Sequence, residues 1–336
     1  MSTIEIHNIK NGETEKADDF NPKKIVDNSY SQNYYCSLKQ LLIIIIPIIV
    51  VVLFAAIFIP VYVMHEKNKE ENKIINNNYY EYDGYEEYEE NIVNYTYAIL
   101  TPKNGYDHIL FFLGGIGDIS TKYFSFFKSK NTFVPRGTKI YFISGQFRLM
   151  QFSLDYHLTD QPVPGWFNIA ANASLMPTEH DFTQARESLN IVLDEIDRIK
   201  TLENVGYDKI YLSGFSQGAM MTNYVLLNSR HKLGGYIAFS GYVFDHDFLE
   251  NRVLKEQEMT PARKQKLEDR KDYHILATHS FEDNAVFYDL AAPSYRTYYK
   301  EYTDFTLLSF GNLDHKLPEQ PIHHFVRKWL RDSMGK

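Results

Sequence analysis

The stretch that decides the fold is residues 209–221, KIYLSGFSQGAMM. An apolar, strand-like run enters the motif Gly-x-Ser-x-Gly, and a helical pattern leaves it. This strand–turn–helix context is typical of a nucleophile elbow, a tight turn that projects a serine hydroxyl beyond the edge of a sheet. Gly214 and Gly218 flank the serine because neighbouring backbone comes close in such a turn. The context predicts Ser216 as a nucleophile.

A serine hydroxyl is a weak nucleophile and needs a general base, which in turn needs an orienting carboxylate. In chains with this elbow the acid and then the histidine follow the serine. Two downstream runs fit that order, HSFED at 279–283 and GNLDH at 311–315. Each follows an apolar strand pattern, and chemistry in open parallel sheets lies at the carboxyl ends of strands. We therefore predict Asp283 and His315 as the partners of Ser216.

Other acids and histidines compete for these roles. Glu282 is the alternative acid. Asp314 adjoins the predicted histidine, and neighbouring side chains seldom achieve the required geometry. His279 is expected to pack or bond beneath the acid. His323 and His324 lie on a predicted C-terminal helix and are expected to be surface or packing residues.

An oxyanion hole is expected from two backbone N–H groups. One belongs to Gln217, directly after the nucleophile, and the other to a loop after an early strand. The run LGGIGD at 113–118 supplies such a loop, with the Ile116 amide as the predicted donor. The alternative, a dinucleotide-binding loop, requires G-x-G-x-x-G, but Ser120 stands at the third glycine position.

Between residues 92 and 336, apolar strand patterns alternate with helical ones. The predicted strands are Tyr95–Leu100, His108–Leu113, Lys139–Ser144, Lys209–Ser213, Gly235–Ser240, Tyr273–Thr278 and Phe305–Phe310. The predicted helices are Gln184–Ile199, Gln217–Leu227 and Glu319–Arg331. Buried strands that alternate with helices indicate a mostly parallel sheet flanked by helices, an α/β fold.

The N-terminal quarter differs in composition. Residues 1–37 are polar and predicted to be disordered. Residues 41–63 carry no charge over 23 positions, about 34 Å as a helix, which suffices to cross a hydrocarbon core of about 30 Å. We therefore expect a single transmembrane helix that anchors the chain. Residues 66–91 are predicted to be a low-complexity stalk, too polar to pack, and 92–336 the catalytic domain.

Orientation in a membrane stays open, because the flanking lysines are balanced. They are Lys23, Lys24 and Lys39 before the span and Lys67, Lys69 and Lys73 after it. The net charge of −8 argues against a nucleic-acid-binding surface, which needs clustered Lys and Arg. The single cysteine excludes an intramolecular disulfide and a cysteine-based zinc cluster. No cofactor or metal is expected, and the oligomeric state is undetermined.

Together these motifs resemble the acyl-protein thioesterase and phospholipase/carboxylesterase family of the α/β-hydrolase superfamily. Its pattern has an F-L-H-G-L-G-D loop, a W-F-D-I segment, a G-F-S-Q-G-G elbow, an H-G-x-x-D acid loop and a late G-x-x-H. The matching runs here are 112–118, 164–169, 214–219, 279–283 and 311–315. Departures from the pattern are Gly114 for His, Asn168 for Asp, Ser280 for Gly and Asn284 for Pro. Gly114 is expected to loosen the oxyanion loop.

The resemblance implies that Ser216, Asp283 and His315 are catalytic and that Ile116 and Gln217 donate to the oxyanion. It implies hydrolysis of thioester-linked palmitate on proteins, of lysophospholipids or of simple carboxyl esters. The predicted substrate-binding residues are Trp166, Phe147 and Met150, although the apolar segment before Trp166 equally fits core packing. The substrate would be a lipid or a lipidated protein. The alternative is a catalytically silent fold that acts as a membrane-anchored scaffold.

Overall fold

The computed structural model describes residues 4–7, 85–92, 95–129, 132–151, 160–171, 177–229, 231–244, 265, 268–300, 302–319 and 322–335. The predicted span at 41–63 lies outside these residues. Among the helices that are described, none combines the length and the apolar character needed to cross a bilayer.

Thirteen strands are described in these ranges. They are β1 Ile4–His7, β2 Tyr85–Ile92, β3 Tyr95–Pro102, β4 His108–Leu113, β5 Thr138–Ile143, β6 Gln146–Arg148, β7 Val163–Gly165, β8 Ile169–Ala171, β9 Pro177–His180, β10 Ile210–Phe215, β11 Gly235–Phe239, β12 Ile275–Ser280 and β13 Phe305–Phe310. The α-helices are α1 Phe124–Lys128, α2 Phe182–Leu202, α3 Gln217–Asn228, α4 Tyr288–Tyr299 and α5 Ile322–Met334. Short 3₁₀ turns lie at Ser120–Tyr123 and Tyr207–Lys209.

Nine strands form one sheet in the order β1-β13-β12-β11-β10-β4-β5-β3-β2. The six from β13 to β5 run parallel, and β1, β3 and β2 complete the edges with antiparallel pairing. The hairpins β6–β7 and β8–β9 lie outside this sheet. The strands β4, β10, β12 and β13 run parallel, so their carboxyl ends lie along the same side of the sheet. The predicted oxyanion, serine, acid and histidine segments follow these four ends in turn. The mostly parallel α/β sheet expected from the sequence is confirmed.

Each central strand is buried on both faces, and this explains its continuous apolar sequence. In β4, Ile109, Phe111 and Leu113 pack into one core, and Leu110 and Phe112 into the other. Helices α2, α3 and α4 cover the first core, and α1 and α5 cover the second. The buried side of α2 includes the predicted stripe Leu189, Val192, Ile196 and Ile199.

The predicted stalk, residues 66–91, and the predicted disordered tail, residues 1–37, both include residues that form strands. Residues 85–91 belong to β2, which pairs with β3 along its whole length, and residues 4–7 pair with β13. An edge strand needs only backbone partners on one side, so a polar sequence such as Glu86-Glu87 is no obstacle. Those glutamates and Glu89 are exposed, and charge on an edge strand opposes pairing with other chains. The compact unit therefore comprises Met1–Gly12 and Asp83–Lys336, and its main segment begins before residue 92.

The start of α3 lies very close to the end of β4. A Cβ on Gly218 would lie 2.1 Å from the carbonyl oxygen of Leu113 and 2.6 Å from that of Gly114. A Cβ on Gly214 would lie 2.2 Å from the Gly218 oxygen. Backbone atoms cannot move aside as a side chain can, so only glycine fits at these two positions.

We expect Gly218→Ala to lower the free energy of unfolding by about 3 kcal/mol or more, because β4 and α3 must separate to admit the methyl group. Gly105→Ala is the control, since Gly105 has a φ of +87° but open space around it. That change costs only backbone strain, about 1 kcal/mol. Urea unfolding of both purified variants measures the difference, and equal midpoints would contradict the packing argument.

Candidate active site

Ser216 lies at the turn between β10 and α3 with φ 56° and ψ −121°. A non-glycine residue with this backbone conformation is strained and needs support from its surroundings. The support comes from both backbone groups. The Ser216 N–H donates to Phe239 (2.9 Å), and the Ser216 carbonyl accepts from Ala219 (3.0 Å) and Met220 (3.1 Å). The predicted strand–turn–helix elbow is confirmed in shape.

Asp283 and His315 lie on loops that follow adjacent strands. We name residues 281–287, after β12, the acid loop and residues 311–317, after β13, the histidine loop. Nδ1 of His315 lies 3.0 and 2.9 Å from the two carboxylate oxygens of Asp283. The His315 ring packs against Phe215, with centroids 4.8 Å apart. The structure thus brings the histidine to the residue that precedes Ser216.

Asp283 is 3% exposed and makes several hydrogen bonds. Its Oδ1 accepts from the backbone N–H groups of Ala285 (3.0 Å) and Val286 (2.7 Å). Burial alone would raise the pKa of Asp283, but the hydrogen bond and charge of His315 and the Val286 N–H outweigh it and leave the pKa below its ordinary value. The carboxylate therefore stays ionised and holds Nδ1 of His315 as a donor.

The competing acids have other partners. Glu282 Oε2 accepts from the backbone N–H of Asn312 (2.8 Å) and from the Ser280 hydroxyl (3.3 Å). Asp314 pairs with Lys316 at 3.2 Å in solvent. The acid that the structure brings to the histidine is the predicted one.

The competing histidines are accounted for by packing. His279 is fully buried and bonds the Val286 carbonyl (2.7 Å), and burial lowers its pKa. This agrees with its predicted place beneath the acid loop. His323 is buried on α5, where burial lowers its pKa to about 4, and its ring contacts that of His324.

The oxyanion loop, residues 114–118, lies against Ser216. A Cβ on Gly115 would come within 3.1 Å of the serine Cβ. The Gly115 N–H is occupied by Asp118 Oδ2 (2.8 Å), and the Gly117 N–H by the Pro164 carbonyl (2.8 Å). Within the described part of the chain, the Ile116 amide has no acceptor. The Gln217 amide is at the start of α3, where helical N–H groups lack intrahelical partners.

Asp118 has a structural role in the oxyanion loop that its place in the motif does not by itself predict. It is 3% exposed and accepts from Gly115, from the Tyr123 hydroxyl (2.5 Å) and from Lys122. Burial, reinforced by the Asp118 charge, raises the pKa of Tyr123. The tyrosine therefore donates, and the carboxylate fixes the loop from inside the turn.

Metal ligation has no support in the residues described. Within those ranges, His, Cys, Asp and Glu side chains form no group of three or more that is placed to hold a metal ion.

Comparison with known proteins adds to this geometry. Residues 94–331 match the phospholipase/carboxylesterase family. The chain belongs to this family. It is 35% identical over 97 residues to acyl-protein thioesterase 1 homolog 1 of Dictyostelium discoideum, covering 28% of this chain and 42% of that one. Homolog 2 of the same organism is 27% identical over 170 residues, 49% of this chain and 68% of the relative.

Solved structures support the fold. Acyl-protein thioesterase 2 of Zea mays superposes with a TM-score of 0.53 at 18% identity, covering 71% of this chain and 99% of that one. The fold is therefore the α/β-hydrolase fold. The sequence match is partial, since the matched segments of the two Dictyostelium relatives span 42% and 68% of their lengths.

Trp166 is hydrogen-bonded to the first residue of the oxyanion loop. Its indole N–H donates to the Gly114 carbonyl (2.8 Å), and its backbone N–H donates to the side chain of Gln217 (2.9 Å). The side-chain nitrogen of Gln217, Nε2, then donates to the Phe167 carbonyl (2.6 Å). Gly114 stands where the family pattern has histidine, yet its carbonyl is fixed by this indole. The indole therefore holds the loop at this glycine, and the loosening expected from the glycine stays a prediction.

The predicted substrate-binding residues differ in their exposure to solvent. Trp166 is 1% exposed and Met150 is fully buried, whereas Phe147 on β6 is 46% exposed. Met150 packs against the backbone of Gly165, close to where a Cβ would be. Trp166 and Met150 therefore belong to the core, which corrects their assignment to a substrate groove, and Phe147 alone keeps that prediction.

Trp166→Phe removes the indole donor and leaves the Gly114 carbonyl buried without it, which costs about 1–3 kcal/mol in the free energy of unfolding. Trp329→Phe is the matched control. Trp329 is partly buried against the second core, and its indole N–H has no acceptor in the described residues. Urea unfolding should show the larger loss for Trp166, and equal losses would argue against the hydrogen bond as its cause.

Proposed function

We propose that the chain is a serine hydrolase that cleaves carboxylic ester or thioester bonds, with Ser216 as nucleophile, His315 as general base and Asp283 as the orienting acid. The observation that carries the proposal is the pairing of the buried Asp283 carboxylate with His315 beside a strained serine elbow. Strain of this kind is retained where a structure holds a reactive group in place.

The reaction begins when Ser216 Oγ attacks the acyl carbonyl carbon while Nε2 of His315 takes its proton. Asp283 keeps the Nδ1 proton in place and stabilises the imidazolium that forms. The carbonyl oxygen gains negative charge, which the Ile116 and Gln217 amides and the N-terminus of α3 stabilise in this proposal.

Collapse of the tetrahedral intermediate breaks the bond to the leaving alcohol or thiol, which takes the proton from His315. The acyl group stays on Ser216 as an ester. A water molecule, deprotonated by His315, then attacks that ester, and a second collapse releases the carboxylic acid and restores the serine hydroxyl.

An acylated protein or a lipid ester is the substrate class we favour. The Dictyostelium and maize relatives are named acyl-protein thioesterases, and a large apolar side chain, Phe147, is exposed on the strand that follows β5. Apolar surface beside a reacting ester is suited to an acyl chain.

Ser216→Ala should lower the rate of hydrolysis of a short-chain p-nitrophenyl ester at least about 10³-fold and abolish fluorophosphonate labelling, because the attacking oxygen is gone. Ser213→Ala is the control. Ser213 lies on the same strand, and its hydroxyl donates to the Phe111 carbonyl (2.8 Å). Removal of this hydroxyl should leave the labelling in place. A folded wild-type protein that is not labelled would favour the alternative, a silent scaffold.

We further propose that residues 41–63 anchor the enzyme in a membrane as a single-pass helix. The support is the 23-residue uncharged run in the sequence, together with a substrate class that resides on membranes. A single crossing has one topological consequence. It would place residues 4–7 on the opposite side of the membrane from β13, so the proposal requires that the anchored chain lacks the β1–β13 pairing described above.

Cys36, the single cysteine, precedes the run and tests the crossing. In sealed vesicles a membrane-impermeant maleimide should label either Cys36 or, in the Cys36→Ser/Lys328→Cys variant, the exposed position 328, but not both. Permeabilised vesicles, in which both must react, serve as the control. Labelling of both positions from one side would rule out a single crossing and favour the β1–β13 pairing.

A further inference from the structure

The acid loop and the histidine loop must keep a fixed separation, because they carry the two halves of the Asp283–His315 pair. Their strands continue one step beyond the ladder, where the Phe281 N–H donates to the Phe310 carbonyl (2.7 Å). After that step the two loops diverge, and their relative position depends on side chains.

Glu282 connects the two loops there. Its Oε2 accepts the backbone N–H of Asn312 at 2.8 Å. Its carboxylate also lies over Gly311, where a Cβ would be 3.3 Å from Oε1. Ser280 orients this carboxylate, since its hydroxyl donates to Oε2 (3.3 Å) and accepts from the Glu282 N–H (3.2 Å).

Asn312 is the point at which the chain turns from β13 towards His315. Its φ of 62° is in the left-handed region, which asparagine tolerates better than most residues but which still needs support. A charge-assisted hydrogen bond to its N–H holds that turn three residues before the histidine.

We propose that Glu282 is a positioning residue, which fixes the histidine loop against the acid loop and thereby sets the direction of the His315 ring. This inference rests on the proposed hydrolase function. It gives a role to the carboxylate that competed with Asp283 for the acid position. It also explains Ser280, which stands where the family pattern has glycine and whose hydroxyl here orients Glu282.

Substitutions at Glu282 can distinguish a positioning role from an effect of its negative charge. A positioning role needs an oxygen acceptor for the Asn312 N–H, which Glu282→Gln retains and Glu282→Ala removes. An action through negative charge would be lost equally in both variants. Asp314→Ala is the matched control, because it removes an exposed carboxylate from the same loop, next to His315, whose partner is Lys316.

The experiment measures steady-state hydrolysis of a p-nitrophenyl ester and the rate constant of fluorophosphonate labelling, with the full chain in detergent. Glu282→Ala should lower kcat and the labelling rate about 10-fold with KM within about twofold, since a displaced base slows chemistry more than binding. Glu282→Gln should keep both rates within about threefold, and Asp314→Ala should match the wild type. Thermal unfolding should show that all four proteins are fully folded at the assay temperature.

Equal losses in Glu282→Ala and Glu282→Gln would overturn the proposal in favour of a charge effect, and an unaffected Glu282→Ala would overturn it outright. A loss confined to KM would also overturn it. Any of these three results with an active wild type leaves the proposed hydrolase function intact. A wild type that neither hydrolyses the ester nor reacts with the probe overturns the proposed function and this inference together.

Discussion

The rest of the site depends on the approach of Gly218 to the carbonyl oxygens at the end of β4, a contact that admits no side chain. It sets α3 directly against the strand that leads into the oxyanion loop, so Gly115 comes to rest against Ser216. The serine and the predicted oxyanion donors are therefore positioned by backbone packing. Backbone contacts of this kind deform little, and an amide aimed in advance at developing charge needs no reorganisation during the reaction.

A second constraint is electrostatic. Burying the carboxylate of Asp283 is unfavourable unless its oxygens are satisfied. The acid loop solves this locally, because its tight turn directs the Ala285 and Val286 N–H groups at Oδ1. The remaining bonding capacity is directed at His315. On the proposed function, the positive charge that develops on the imidazole therefore meets a counter-charge that is already in place. Neutral His279, held beneath by burial, adds no competing charge.

The sequence predicts the central sheet and the elbow well, because strands buried on both faces carry continuous apolar runs and the elbow needs glycines at fixed spacing. It fails where tertiary pairing overrides composition. The acidic run Tyr85–Ile92 becomes an edge strand because β3 offers backbone partners. Helix α4 was missed because Pro293 lies inside it. Its buried residues Ala291, Tyr295 and Tyr298 nevertheless follow helical spacing, and that signal could have revealed it.

The roles of Trp166 and Gly114 show why a family pattern is a weaker guide to detail than to fold. Replacement of histidine by glycine suggests a loose loop if rigidity is attributed to the side chain at that position. Here the indole of Trp166 donates to the glycine carbonyl, which is a support that does not depend on the side chain at position 114. A tryptophan committed to that bond is buried and has no surface to offer a substrate. On the proposed function, the candidates for contact with the acyl group are therefore the large apolar side chains that stay exposed after β4, β5 and β12, namely Ile119, Phe147, Leu149 and Phe281.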